Sequence, residues 1–142
     1  MTVEEIRSNI RYNESLIDQY SIEKQKIEKQ IEELEEVRGK YANLQNRFGE
    51  RQQQRQSKLA HLQNSKTQNS IFKKYYAGMN ALLVGKDFSD TYDGLSEAKN
   101  KINRKINKLA QKCDDLNEKI NYRKGRRDYW KTQLREALME VK

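Results

Sequence analysis

The chain has 142 residues, of which 35% are hydrophobic and 35% are charged, and its formal net charge is +8. Globular domains contain roughly 45–50% apolar and 25% charged residues, so this composition excludes a thick compact core and favours long helices joined along narrow apolar seams. We expect no membrane span, signal peptide or internal disulfide, because the chain has no long apolar run, no apolar N-terminal segment and only one cysteine.

The first predicted element is a long helix over residues 2–62. Its opening letters T-V-E-E place Glu5 three residues after Thr2, which is the spacing of a capping box. Apolar or tolerated residues then recur at alternating steps of four and three, the repeat of a helix that packs on a partner helix. Leu59 and Leu62 continue this register before the polar "QNSKTQNS" ends the helix. The repeat comprises Ile6, Ile10, Asn13, Ile17, Tyr20, Lys24, Ile27, Ile31, Leu34, Arg38, Tyr41, Gln45 and Phe48.

The second predicted element is a short helix over residues 69–84, which is rich in aromatic residues. Gly85 is expected to end it, and Asp87 or Ser89 to cap the next helix. One face of the short helix is predicted to carry Phe72, Tyr75, Tyr76, Met79 and Leu83. The bend of the chain is assigned to Gly85, Phe88, Tyr92 and Leu95, with Phe88 and Tyr92 partly buried at the tip.

The third predicted element is a second long helix over residues 88–141. It repeats the same spacing from Leu95 onwards, at Ala98, Ile102, Ile106, Leu109, Cys113, Leu116, Ile120, Arg123, Arg127, Trp130, Leu134, Ala137 and Val141. The three elements predict one all-α domain over residues 1–142. Its architecture is an elongated, coiled-coil-like, antiparallel two-helix hairpin with a short extra helix near the bend. Oligomerisation through the same seams is the competing solution.

Residues typical of catalysis or metal binding are isolated in this sequence. His61 and Cys113 are each the only residue of their type, and the six glycines are scattered singly, so no phosphate-binding loop is recognisable. The carboxylates of "EELEE" at 32–36 alternate with seam residues and are interpreted as a solvated face. The sequence therefore predicts no enzyme, no catalytic residue, no cofactor and no metal.

Charge is distributed unevenly along the chain. Residues 1–37 carry five basic and ten acidic groups. Residues 38–80 carry nine basic groups and one acidic group, and residues 81–142 carry fifteen basic and ten acidic groups. An acidic first helix facing a basic second helix would explain this by complementary pairing. Nucleic acid binding is an alternative, because "FKKYY" and "YRKGRRDYW" interleave basic and aromatic residues. No recognised nucleic-acid-binding motif accompanies them, so we consider nucleic acid the less favoured partner.

The phrase "VGKDFSDTYDGLSEAKNKI" at 84–102 resembles one found in small helical-hairpin proteins of bacterial type VII secretion, the WxG-like subgroup associated with LXG-type toxins. That phrase has the form G-x-x-F-x-x-x-x-x-x-L-x-E-A, and the comparable positions here are Gly85, Phe88, Leu95, Glu97 and Ala98. The Trp of the W-x-G bend is absent. None of the eight tyrosines has Asp or Glu four residues later, as the family's export signal requires.

The resemblance implies an accessory protein or targeting chaperone that binds the helical N-terminal region of an LXG-type toxin. It also implies that a partner supplies the export signal, and that a second small helical accessory protein could take part. Such a protein would be cytoplasmic and could be co-secreted with its effector. Two alternatives are a coiled-coil scaffold of other purpose and a basic nucleic-acid-binding protein. The partner-interface candidates are the short-helix face defined above and a second group, Tyr122, Tyr129 and Trp130.

Overall fold

The structure, a computed structural model, describes residues 1–63 and 70–140, and for residues 62, 63, 70–72, 83 and 84 it describes the helical backbone only. Within these ranges the chain forms three α-helices: α1 (Val3–Gln63), α2 (Ser70–Val84) and α3 (Lys86–Glu140). No strand occurs in the described part of the chain. The all-α class and the two long helices that pack against each other are therefore confirmed.

The start of α1 has the predicted capping box. The Glu5 backbone N–H donates to Thr2 Oγ1 at 3.1 Å, and the Thr2 N–H donates to Glu5 Oε2 at 3.0 Å. The Ile6 N–H also donates to the Thr2 carbonyl at 3.1 Å. These bonds give partners to backbone amides that the first helical turn otherwise leaves free, which is why α1 begins here.

Gly85 separates α2 from α3 by a single residue. It does not use the left-handed conformation expected of a glycine stop, since none of the described glycines has a positive φ. Glycine is instead required by a close approach, because a Cβ at this position would collide with the carbonyl oxygen of Ala81. The Gly85 carbonyl accepts the first bond of α3, from the Ser89 N–H at 3.2 Å. Asp87 thus lies in the first turn, and the prediction that Asp87 or Ser89 caps the helix is corrected.

The chain divides into two units, each made from facing stretches of the helices. Unit 1 comprises Met1–Glu33 and Lys105–Lys142. In it α1 and α3 run in opposite directions, because Tyr20 contacts Lys119 and the earlier residue Asn13 contacts Arg123. The buried apolar residues of this unit all occupy predicted seam positions: Ile6, Ile10, Ile17 and Ile27 on α1, and Ile106, Leu109, Cys113, Leu116 and Ile120 on α3.

One polar side chain interrupts the seam of unit 1. Asn13 is only 3% exposed. Its Nδ2 donates to the Asn9 carbonyl at 2.8 Å, and its Oδ1 accepts from Arg123 Nη1 at 3.3 Å. The bond to Arg123 joins the two helices, so sliding one helix along the other would leave the buried oxygen of Asn13 without this partner.

Unit 2, Leu34–Arg104, contains the end of α1, all of α2 and the start of α3. Its helices also run in opposite directions, since Arg38 Nη1 donates to Asn103 Oδ1 at 2.8 Å while the later residue Gln45 bonds to Ser96. Gln45 is buried at 4% exposure, and its Nε2 donates both to Ser96 Oγ and to the Tyr92 carbonyl. Leu59 is the buried apolar residue among the described side chains of this unit, and it lies in the predicted register.

The predicted position of the bend is wrong. Phe88 stacks on Phe48 with ring centres 4.7 Å apart, yet α1 continues beyond Phe48 to Gln63. Leu82 of α2 lines a groove with Arg51 and Arg55, so α2 lies beside the later turns of α1. The assigned bend residues Gly85, Phe88, Tyr92 and Leu95 therefore lie alongside α1, and no reversal of the chain occurs at Gly85.

Candidate partner-binding surfaces

Three of the predicted interface residues lie near the end of α3. Tyr122, Tyr129 and Trp130 are separated by seven and one residues, so they share one side of the helix. Tyr122 is 61% exposed and Tyr129 is 47% exposed, whereas Trp130 is half-buried. The rings of Tyr129 and Trp130 meet edge to face, with centres 5.1 Å apart and planes inclined by 72°. The structure thus places this predicted group together on the surface of unit 1.

Two arginines lie among these rings. The guanidinium of Arg126 lies 4.9 Å from the ring centre of Tyr129 and 5.6 Å from that of Trp130. The guanidinium of Arg123 lies 5.2 Å from the ring centre of Tyr122 and 5.5 Å from that of Tyr12 on α1. Each contact is worth about 0.5–1 kcal/mol at an exposed site. The arginines therefore hold the rings and the positive charge in a defined arrangement.

We name Tyr12, Tyr122, Arg123, Arg126, Tyr129 and Trp130 the aromatic surface. Sequence reasoning missed Tyr12 as a member of this surface, although Tyr12 directly precedes the seam residue Asn13. Tyr12 is exposed, and Arg123 connects it to α3 while also bonding to Asn13 in the seam. Tyr, Trp and Arg are the residues most enriched at the energetic centres of protein interfaces. The surface can therefore bind a protein through ring faces and guanidinium groups together.

The face predicted on α2 divides into two parts. Tyr75 is exposed, whereas Tyr76 and Met79 are half-buried. The side chains of Phe72 and Leu83 lie outside the described residues. Leu82, which sequence reasoning did not assign, is 63% exposed and follows Tyr75 by seven residues on the same side of α2. The exposed side of α2 therefore presents Tyr75 and Leu82, while Tyr76 and Met79 are more covered.

The residues assigned to the bend form a ring stack. Phe88 is half-buried between two rings, with its centre 4.7 Å from that of Phe48 and 6.0 Å from that of Tyr92. Tyr92 is 39% exposed and its ring edge lies 3.9 Å from the position of a Cβ on Gly49. Leu95 is half-buried. These residues contribute mainly to packing between α1 and α3.

Cys113 and the acidic residues form no reactive centre in the described part of the chain. The Cys113 side chain is buried in the seam, and burial, with a further contribution from Glu28, raises the pKa of its thiol. A thiol with a raised pKa is a poor nucleophile, because the thiolate is the reactive form. No group of three or more His, Cys, Asp and Glu side chains comes together among the described residues.

Comparison with known proteins gives no relative from which a function could be transferred. No protein-family model, curated protein or solved structure matches the chain. Among the described helices, none has an apolar segment long enough to cross a membrane. The residues and their geometry are therefore the basis for any proposal of function.

Proposed function

We propose that the chain is a non-enzymatic accessory or targeting chaperone of bacterial type VII secretion. In this proposal it binds the helical N-terminal region of an LXG-type toxin and presents that region for export. The observation that most supports a binding role is the aromatic surface, which exposes three tyrosines beside two half-buried arginines on unit 1. Exposed aromatic clusters of this kind mark protein interaction sites.

The resemblance of residues 84–102 to the WxG-like phrase supports the choice of partner. We propose that α1 and α3 are the arms of a helical hairpin, to which the helices of the toxin add side by side through the aromatic surface. In the cytoplasm the complex would then carry the export signal on the toxin or on a second small helical protein. This chain would either remain behind or leave with its effector.

Co-expression with the N-terminal region of an LXG-type toxin, taken from the gene neighbourhood of this chain where one is encoded there, tests the proposal. The wild-type chain should copurify with the toxin region at a defined stoichiometry. Tyr129→Ala/Trp130→Ala should weaken the complex by more than about 2 kcal/mol, which is the usual loss for aromatic side chains at an interface centre. Ile22→Ala is the matched control, because Ile22 is an exposed apolar residue of unit 1 outside the aromatic surface.

A second pair of variants, Tyr75→Ala/Met79→Ala, tests the predicted surface on α2. If every variant copurifies with the toxin at wild-type yield and remains helical by circular dichroism, the toxin does not bind at these surfaces. Self-association without any toxin-like partner in the gene neighbourhood would favour a coiled-coil scaffold instead. Retention on nucleic acid that falls steeply with salt would favour the nucleic-acid alternative.

A further inference from the structure

Unit 2 has a row of cations on the outer side of α1. Arg47, Arg51, Arg55 and Lys58 follow one another at steps of four, four and three residues, and all four are exposed. At a rise of 1.5 Å per residue the row extends about 16 Å along the helix, with about 6 Å between the first three members. We name these four residues the basic row.

The basic row has no acidic partner within the described part of the chain. The ion pairs found there use Lys24, Lys40, Lys101, Arg127 and Lys131. In three of those pairs the lysine is neutralised by a glutamate one helical turn away, at Glu28, Glu36 and Glu97. In contrast, Glu50 is the only acidic residue between positions 38 and 80. The four cations of the basic row therefore form a concentration of positive charge with a single acidic residue near them in the sequence.

A groove with both apolar and polar lining lies next to the middle of the basic row. Arg51 and Arg55 line this open groove of about 310 Å³ together with Phe48, Phe88 and Leu82. Leu82 is 63% exposed, so an apolar side chain on the rim of the groove is uncovered. Asp87 also lines the groove, and its carboxylate repels negative charge on a ligand near the start of α3. The combination of cations and apolar surface is suited to an amphipathic ligand.

Two features favour an acidic protein helix over a nucleic acid. Carboxylates on successive turns of a helix are also about 6 Å apart along its axis, so they match the arginines of the basic row. Arginine binds carboxylates through two parallel hydrogen bonds. Nucleobases would instead need free ring faces, but the ring of Phe88 is already stacked with those of Phe48 and Tyr92.

We propose that the basic row and the adjoining groove form a second docking site, distinct from the aromatic surface, for an acidic amphipathic helix of a partner protein. Carboxylates spaced four residues apart contact Arg47, Arg51 and Arg55. An apolar side chain on the neighbouring face of the partner helix packs against Leu82, Phe48 and Phe88, which line the groove.

Fluorescence anisotropy with a labelled synthetic helix tests this site on the full chain. The probe has glutamate at every fourth position and leucine on the adjacent face, and a second probe has lysine in place of each glutamate. The wild-type chain should bind the glutamate probe and not the lysine probe. Arg51→Glu/Arg55→Glu should raise the Kd at least about tenfold, as expected when two charge contacts become repulsive. Leu82→Asp should also weaken binding, because it removes the apolar contact.

Arg7→Glu/Arg11→Glu is the matched control. It changes the net charge equally, and its arginines are exposed and four residues apart on α1 of unit 1. This control should bind the probe within about twofold of the wild type, because distant exposed charges contribute little. An equal loss in the control would overturn the site and indicate non-specific attraction. Tighter binding of a thymidine oligonucleotide than of the glutamate probe, or self-association abolished by Arg51→Glu/Arg55→Glu, would overturn the assignment of the partner.

Discussion

The two units pair the same helices through different chemistry. In unit 1, nine apolar side chains are buried, four on α1 and five on α3. Among the described side chains of unit 2, Leu59 and Gln45 are the buried ones, and much of the pairing consists of hydrogen bonds and stacked rings. Apolar burial contributes about 25 cal/mol per Å², whereas one hydrogen bond contributes a net 0.5–1.5 kcal/mol or so. We therefore expect most of the stability to reside in unit 1.

The two units also differ in how firmly their candidate binding surfaces are supported. The seam of unit 1 is mostly apolar, with Asn13 as its buried polar residue, so the aromatic surface there lies on a firmly packed support. The uncovered cations and Leu82 of unit 2 lie where few apolar contacts are buried. A binding helix can therefore add apolar contacts that the unit lacks on its own.

The largest expected effect comes from a charge in the seam of unit 1. Leu109 is 4% exposed, and Leu109→Asp would bury a carboxylate that has no compensating partner. We expect a loss of about 4 kcal/mol or more in the free energy of unfolding, measured by urea denaturation. Leu138→Asp is the control, because Leu138 is exposed on the same helix. A similar urea midpoint for Leu109→Asp and the wild type would mean that the seam is not where the helices are held together.

A smaller loss is expected from the ring stack of unit 2. Phe88→Ala removes the ring that lies between Phe48 and Tyr92. Since Phe88 is half-buried, we expect a loss of about 2 kcal/mol, below the 3–5 kcal/mol typical of a fully packed phenylalanine. Phe88→Leu keeps an apolar contact and should lose less. An unchanged urea midpoint for Phe88→Ala would indicate that the ring serves a partner and not the fold.

The buried polar layer of unit 2 should contribute less again. Gln45→Ala removes the donor that bonds to Ser96 Oγ and to the Tyr92 carbonyl, which should lower stability by about 1 kcal/mol. Gln53→Ala, at an exposed position of the same helix, should change stability by less than about 0.5 kcal/mol. Equal effects of the two changes on the urea midpoint would show that the bonds of Gln45 are not needed in unit 2.

The smallest effect is expected at the start of α1. Thr2→Ala removes the hydroxyl that accepts from the Glu5 N–H, and we expect a loss of about 1 kcal/mol or less. The change should be local, so the amides of Glu5 and Ile6 should exchange with deuterium faster while amides of unit 2 are unaffected. Thr2→Ser keeps the acceptor and should behave as the wild type. Faster exchange throughout unit 2 after Thr2→Ala would contradict the independence of this cap.

Sequence reasoning succeeded where the decisive interactions are local. The capping box depends on residues three positions apart, and every buried apolar residue of unit 1 lies at a predicted seam position. The same spacing correctly extended the register to Leu59. Regular spacing along one helix is enough to identify the face that is buried, whatever covers it.

The errors concern interactions between distant parts of the chain. A glycine after a helix is compatible both with a reversal and with a one-residue interruption, and the contact of Phe88 with Phe48, forty residues earlier, distinguishes them. The exposure of Tyr12 and Leu82 likewise depends on which side of each helix its neighbours cover. The seven-residue spacing of Tyr75 and Leu82 predicts that they share one side of α2. It does not predict that this side is exposed.

The buried thiol of Cys113 can report how often the seam of unit 1 opens. It is the only cysteine of the chain, and it is buried in the core of unit 1. A disulfide reagent can reach this sulfur only when α1 and α3 separate locally, so the labelling rate reports how often that separation occurs. When closing is faster than labelling, the ratio of this rate to the rate in the unfolded chain gives the free energy of local opening. A bound partner that keeps α1 and α3 together would slow this labelling. The measurement uses the native thiol, so no further cysteine has to be introduced.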